Sequence, residues 1–138
     1  MTANPWIVIA AAIVGALGTG HLVLTWSGPK LRPRDPALQA AMERSSPGIS
    51  SQFSMWQAWI GFNLSHSLGA MLFGLVYGYL ALRQPAVLSG SVFLLGVGLL
   101  TLVAYVAMAW RYWFRNPLLG ASVALGCYLI GMARFLAG

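Results

Sequence analysis

The spacing of its charges constrains this chain more than any other feature. Met1 to Pro29 contains no Asp, Glu, Lys or Arg. Lys30 to Arg44 then gathers four bases (Lys30, Arg32, Arg34, Arg44) and both acids, Asp35 and Glu43. Ser45 to Leu82 is again uncharged, and so is Gln84 to Trp110, beyond Arg83. Arg111 and Arg115 precede a last uncharged stretch, Asn116 to Ala133, which Arg134 closes. A helix rises 1.5 Å per residue, so about 20 apolar residues cross a hydrocarbon layer of about 30 Å. Four segments meet that requirement, at about 5–26, 55–82, 85–110 and 117–136. The expected fold is all-α: an integral membrane antiparallel four-helix bundle, one transmembrane domain over residues 1–138.

Composition excludes the soluble alternatives. Hydrophobic residues are 59% of the chain and charged residues 7%, against about a quarter charged in a soluble domain. The net charge of +6 sits beside apolar runs rather than in a dense basic patch. It therefore reads as topology signalling and attraction to anionic headgroups, with no nucleic-acid partner expected. The single cysteine, Cys127, supports neither a disulfide nor a thiolate cluster and reads as a small buried hydrophobe. No cleavable signal peptide is expected, because the first apolar run lacks a basic leading region and is long enough to span.

Local punctuation agrees with four spans. Pro5, Pro85 and Pro117 each lie near a span's start, where a missing N–H costs little. All six tryptophans, Trp6, Trp26, Trp56, Trp59, Trp110 and Trp113, fall near span ends, the depth amphipathic indoles prefer. Five of them lie on the side of the first and third loops. That side also holds six of the eight bases, which predicts that these loops are cytoplasmic and the termini outside. Within the first loop, Asp35-Pro36 followed by Ala-Leu-Gln-Ala-Ala-Met-Glu-Arg predicts an N-capped short interfacial helix.

Ionisable groups inside spans are the default functional candidates, because their burial is costly. Only His21 and His66 qualify. In the second span, helical spacing aligns Trp59, Asn63, His66, Ala70, Phe73 and Tyr77 on one stripe. Asn63 and His66, three residues apart, are placed to bond each other or share a ligand. Ser65 and Ser67 are placed to bond their own helix's carbonyls. Gly15, Gly18 and Gly20 crowd the approach to His21, and Gly74 and Gly78 form a second small-residue pair; helix packing is the simplest reason for both. Measured from the flanking indoles, His21 lies about 7 Å deep and His66 about 10 Å, so the two imidazoles are expected at similar depth.

Three readings of that pair stay open. In the plainest, each histidine hydrogen-bonds Asn63, a serine or a carbonyl across a helix interface. In the second, His21 and His66 are axial ligands of haem b, with Arg111 and Arg115 pairing its propionates. In the third, His21, Trp59, Asn63, His66 and Ser67 line a site for a lipid-like or quinone-like ligand. Conventional catalysis is poorly provided for, since no span contains an acid to orient a base. Asp35 and Glu43 read as capping and solvating residues of the first loop.

Gly-His-Leu at 20–22, Arg-Asp-Pro-Ala-Leu at 34–38 and Trp-x-Gly-Phe-Asn-x-Ser-His-Ser-x-Gly at 59–69 together resemble a family of short bacterial four-span membrane proteins. The resemblance covers mainly the first half of the chain. It implies the fold and placement in a bacterial inner membrane, and supplies no substrate or catalytic residue. The expectation is a non-enzymatic membrane protein that binds an apolar ligand or serves as an accessory subunit. The alternatives are a haem-bearing electron carrier and, behind it, an enzyme on lipid-like substrates with His66 as base. Expected partners are membrane lipids, other membrane subunits or a second copy.

Overall fold

In a computed structural model, which describes residues 2–137, the chain is all-helical in its regular structure and contains no strand among the described residues. The elements are α1 (Pro5–Ser27), a 3-10 turn (Pro29–Leu31), α2 (Pro36–Arg44), α3 (Met55–Arg83), α4 (Pro85–Ser89), α5 (Val92–Tyr112) and α6 (Arg115–Leu136). Four of them, α1, α3, α5 and α6, are long and apolar enough to cross a membrane. At 29 residues α3 reaches about 43 Å, longer than the hydrocarbon is thick, so it tilts or projects. Large apolar side chains stand outward on these helices, including Leu75, Val92, Phe93 and Leu100. Only lipid accommodates so much exposed apolar surface, and the chain is a multi-pass membrane protein.

The third apolar run is divided where a single span over 85–110 is expected. Pro85 opens the five-residue α4, and the chain then breaks at Gly90 and Ser91. The Ser91 hydroxyl accepts from the Leu94 N–H at 3.2 Å and so caps α5. A cap supplied from within the run satisfies an N–H left open at the new helix start, which makes the break inexpensive. The last helix begins at Arg115, two residues before Pro117. Proline is tolerated there because first-turn N–H groups have no intrahelical acceptor.

The chain forms two compact units. One comprises the described residues of Met1–Leu17 and Ala70–Gly138, the other Gly18–Gly69. The first unit has a core built at helical spacing. Ile7, Ala10, Ala11 and Val14 come from α1, Ala70, Phe73, Tyr77 and Ala81 from α3, Leu95 and Leu102 from α5, and Ala124 and Tyr128 from α6. Cys127 packs against this core as a partly buried hydrophobe. Small residues set its closest approach. A Cβ on Gly74 would lie 2.8 Å from Gly15 Cα and 2.9 Å from the Ala11 carbonyl oxygen, so α1 and α3 meet backbone to backbone. Gly98 of α5 faces the Tyr77 and Tyr128 rings, where a Cβ would stand 2.7 Å from Tyr77 Cε1. Both tyrosine hydroxyls are satisfied there. Tyr77 donates to the Leu94 carbonyl at 2.7 Å and Tyr128 to that of Leu95 at 3.1 Å.

The buried Asn4 organises one end of this unit. Its Oδ1 accepts from the Ile7 N–H, capping α1, and its Nδ2 donates to the Gly131 carbonyl of α6 at 2.9 Å. Its own N–H donates to the Ala81 carbonyl of α3. The side chain, with two kinds of hydrogen-bonding group, joins α1 to α6, and the backbone N–H of the same residue adds α3.

In the second unit the expected short helix is present as α2. Asp35 caps it by accepting from the Ala37 N–H at 2.8 Å, with Pro36 at the first helical position. The start of α3 carries a reciprocal cap. Ser54 Oγ accepts from the Gln57 N–H, and Gln57 Oε1 accepts from the Ser54 N–H. The Met55 N–H donates to the Ser45 carbonyl at 2.8 Å, which fixes the end of α2 against the start of α3.

Candidate functional site

The polar residues singled out in the first two spans assemble within Gly18–Gly69. A relay of hydrogen bonds begins at the 3-10 turn, where Trp59 Nε1 donates to the Leu31 carbonyl at 3.0 Å. Asn63 Nδ2 donates to the Trp59 carbonyl at 2.7 Å. Asn63 Oδ1 then faces His21 Nε2 at 3.0 Å. Because the Trp59 carbonyl only accepts, it must face the asparagine's NH2 group, and Oδ1 is left for the histidine. An amide oxygen only accepts as well, so His21 Nε2 carries the hydrogen and donates it. The His66 ring meets the His21 ring edge to face, with centroids 5.3 Å apart and planes at 89°. Both rings are half-buried.

Local backbone bonds hold the surroundings. Thr25 Oγ1 donates to the His21 carbonyl at 2.7 Å, and Ser67 Oγ donates to that of Asn63 at 2.9 Å. Ser67 is fully buried. Such side chains would be expensive in hydrocarbon without partners, and each takes the acceptor its own helix offers. Spacing allowed Asn63 to bond His66 on its own helix or a histidine across the interface; in the structure it bonds His21 on the other helix. Gly20 has open space around it, since a Cβ there would meet nothing within 4 Å. Arg111 lies over the Tyr112 ring at the end of α5 and Arg115 opens α6; both are exposed and belong to the other unit.

The pair as it stands does not fit the axial ligation of a haem. Axial imidazoles approach one iron from opposite faces with the macrocycle between them. Rings in edge-to-face contact leave no room for it, and His21 Nε2 is already donating to Asn63. Among the described residues no three His, Cys, Asp or Glu side chains cluster.

Sequence reasoning passed over a different surface of the same unit. Pro47, Ile49 and Phe53 from the loop, with Met55, Ala58, Gly61, Phe62 and Ser65 of α3, line an open groove of about 410 Å³. At 100° per residue, positions 58, 61, 62 and 65 fall on a different face of α3 from Asn63 and Ser67. The signal was available as Met-x-x-Ala-x-x-Gly-Phe-x-x-Ser at helical spacing. Its covering loop, with Ile49 89% exposed, carries no periodicity to announce it. Comparison with protein-family models, curated proteins and solved structures finds no match to this chain.

Proposed function

We propose that this chain is a non-enzymatic integral membrane protein that holds a small, chain-like apolar molecule in the groove lined by Ile49, Phe53 and Phe62. The observation that carries this reading is the groove itself. Its volume suits a single acyl or isoprenoid segment, and its walls are apolar side chains with one hydroxyl, that of Ser65. The His21–Asn63–Trp59 relay supports the reading from behind. It ties α1, the 3-10 turn and α3 together, so the wall that carries Phe62 is preorganised.

Gly61 supplies the test. Gly61 lines the groove and an added Cβ there meets nothing within 4 Å, so Gly61→Leu adds bulk at the groove wall. Mass spectrometry of the purified protein is expected to find an apolar species enriched over bulk lipid, and Gly61→Leu to reduce it at least about tenfold, the loss of roughly 1.4 kcal/mol of binding. Bulk-lipid composition in the parent protein, or undiminished enrichment in the variant, refutes the reading.

The membrane placement we propose is a bacterial inner membrane, with the first and third loops cytoplasmic. The charge bias of the loops and the family resemblance support it. Ser46→Cys in a Cys127→Ala background is expected to react with an impermeant maleimide only after the membrane is opened. Labelling of intact cells reverses the topology. Accessory-subunit behaviour or self-association would show as a co-purifying protein or a dimer mass in the same spectra.

A further inference from the structure

The segment that joins α1 to α2 turns its charge to one side. Lys30, Arg32 and Arg34 are exposed, and Leu31 and Pro33 between them are half-buried. The cause is local. Arg32 and Asp35 each precede a proline, which disfavours helix, and both are extended, Arg32 at φ −90° and ψ 150°. Alternate side chains of extended backbone point the same way, so Arg32 and Arg34 share a side while Pro33 turns from it.

This strap is held at the membrane surface. It follows directly on Ser27, where α1 ends, so it cannot leave the headgroup layer. Trp59 of α3 donates its indole N–H to the Leu31 carbonyl at 3.0 Å, which pins the strap to a second membrane-spanning helix. Trp26, 75% exposed, stands beside it, and indoles settle at headgroup depth. The charge of the strap is not cancelled from within. Asp35 accepts from the Ala37 N–H at the start of α2, and Glu43 accepts from the Gln39 side-chain amide, so both acids are engaged by donors other than these bases.

We propose that Lys30, Arg32 and Arg34 bind the phosphate of an anionic phospholipid in the membrane the chain spans, and select it over zwitterionic lipids. Guanidinium groups offer paired N–H donors that match phosphate oxygens. A phosphatidylethanolamine headgroup presents the same phosphate together with an ammonium, which three adjacent bases repel. Trp59 is the positioning residue, acting through Leu31. Binding at the strap does not depend on what the groove holds.

The test adds phosphatidylglycerol or phosphatidylethanolamine, with identical acyl chains, to the full chain in a neutral detergent and counts bound lipid by native mass spectrometry. Each base close to an anionic lipid contributes about a fivefold preference. Phosphatidylglycerol is therefore expected to bind at least about 25-fold more tightly, from two bases at about fivefold each. Arg32→Gln with Arg34→Gln should remove that margin. Arg111→Gln with Arg115→Gln removes the same charge from exposed positions elsewhere and should leave most of it. Trp59→Phe keeps every charge and an aromatic ring but frees the Leu31 carbonyl, and should reduce the margin about fivefold, a change in headgroup selectivity that loss of stability alone would not produce. Gly61→Leu should leave the margin intact, so the groove reading and this one fail separately. Equal binding of the two lipids, equal losses in the two double variants, or displacement of bound lipid by inorganic phosphate at the lipid's own concentration overturns the strap as a lipid site. An unchanged margin in Trp59→Phe overturns the role of Trp59.

Discussion

The contact between Gly15 and Gly74 permits a test in which two chemically identical substitutions have opposite outcomes. A Cβ added to Gly15 would lie 3.6 Å from Gly74 Cα, an ordinary van der Waals distance. A Cβ added to Gly74 would lie 2.8 Å from Gly15 Cα, 2.9 Å from the Ala11 carbonyl oxygen and 3.1 Å from Gly15 N. All three obstacles are backbone atoms, which no rotamer change can move. Relief to 3.4 Å requires α1 and α3 to separate locally by about 0.6 Å, loosening the packing of Ala11, Val14, Ala70 and Phe73. Overpacking of this kind costs about 1–3 kcal/mol. Replacing a helical glycine by alanine returns about 0.5–1 kcal/mol of backbone entropy at either position. Gly15→Ala should therefore be neutral or stabilising by up to about 1 kcal/mol, and Gly74→Ala net destabilising by about 1–2 kcal/mol. The assay is equilibrium unfolding in mixed micelles, titrated with a denaturing detergent and followed by far-ultraviolet circular dichroism. Gly78→Ala, with its Cβ 3.7 Å from Ala11 Cβ, is the control and should behave like Gly15→Ala. Equal stability of the Gly15 and Gly74 variants would refute the argument that backbone contact governs this crossing.

Other substitutions probe the remaining joints. Gly98→Ala drives a methyl group into the Tyr128 hydroxyl and the Tyr77 ring, and should lower stability by about 1–3 kcal/mol in the same detergent titration. Asn63→Ala removes the bonds to His21 and to the Trp59 carbonyl; a loss of about 0.6–2 kcal/mol is expected, with faster hydrogen exchange at the start of α3. Asp35→Ala removes the cap of α2 and should cost that helix about 1 kcal/mol, read as increased exchange of the Ala37 amide with global unfolding unchanged.

The parts of this protein legible in the sequence are those governed by solvent. A lipid environment forbids unpaired backbone and isolated charge, so uncharged runs of span length announce helices whatever packs against them. Asp35-Pro36 announced α2 for a related reason, because capping is a contact between neighbours in the chain. The break at Gly90 and Ser91 was less legible. Hydropathy averages over it, and only the Ser91 cap marks it. Within the candidate site, His21, Asn63 and His66 stood out as polar groups in apolar runs, but spacing alone left open whether Asn63 bonds the histidine on its own helix or the one across the interface. The helix rotations that turn His21 toward Asn63, and its ring edge to face with that of His66, come from packing between elements.

By itself the sequence determined that this chain is helical, spans a membrane four times over and carries His21, Asn63 and His66 in the first two spans. Those properties follow from the transfer of side chains and peptide groups between water and hydrocarbon, which each segment undergoes on its own. Only the tertiary structure decided that α1 and α3 meet backbone to backbone at Gly15 and Gly74, and that an asparagine fixes the tautomer of His21. It alone placed a loop without periodicity over one face of α3 to form an apolar groove. Those features depend on distances between residues far apart in the chain, and no pattern along a single helix encodes them.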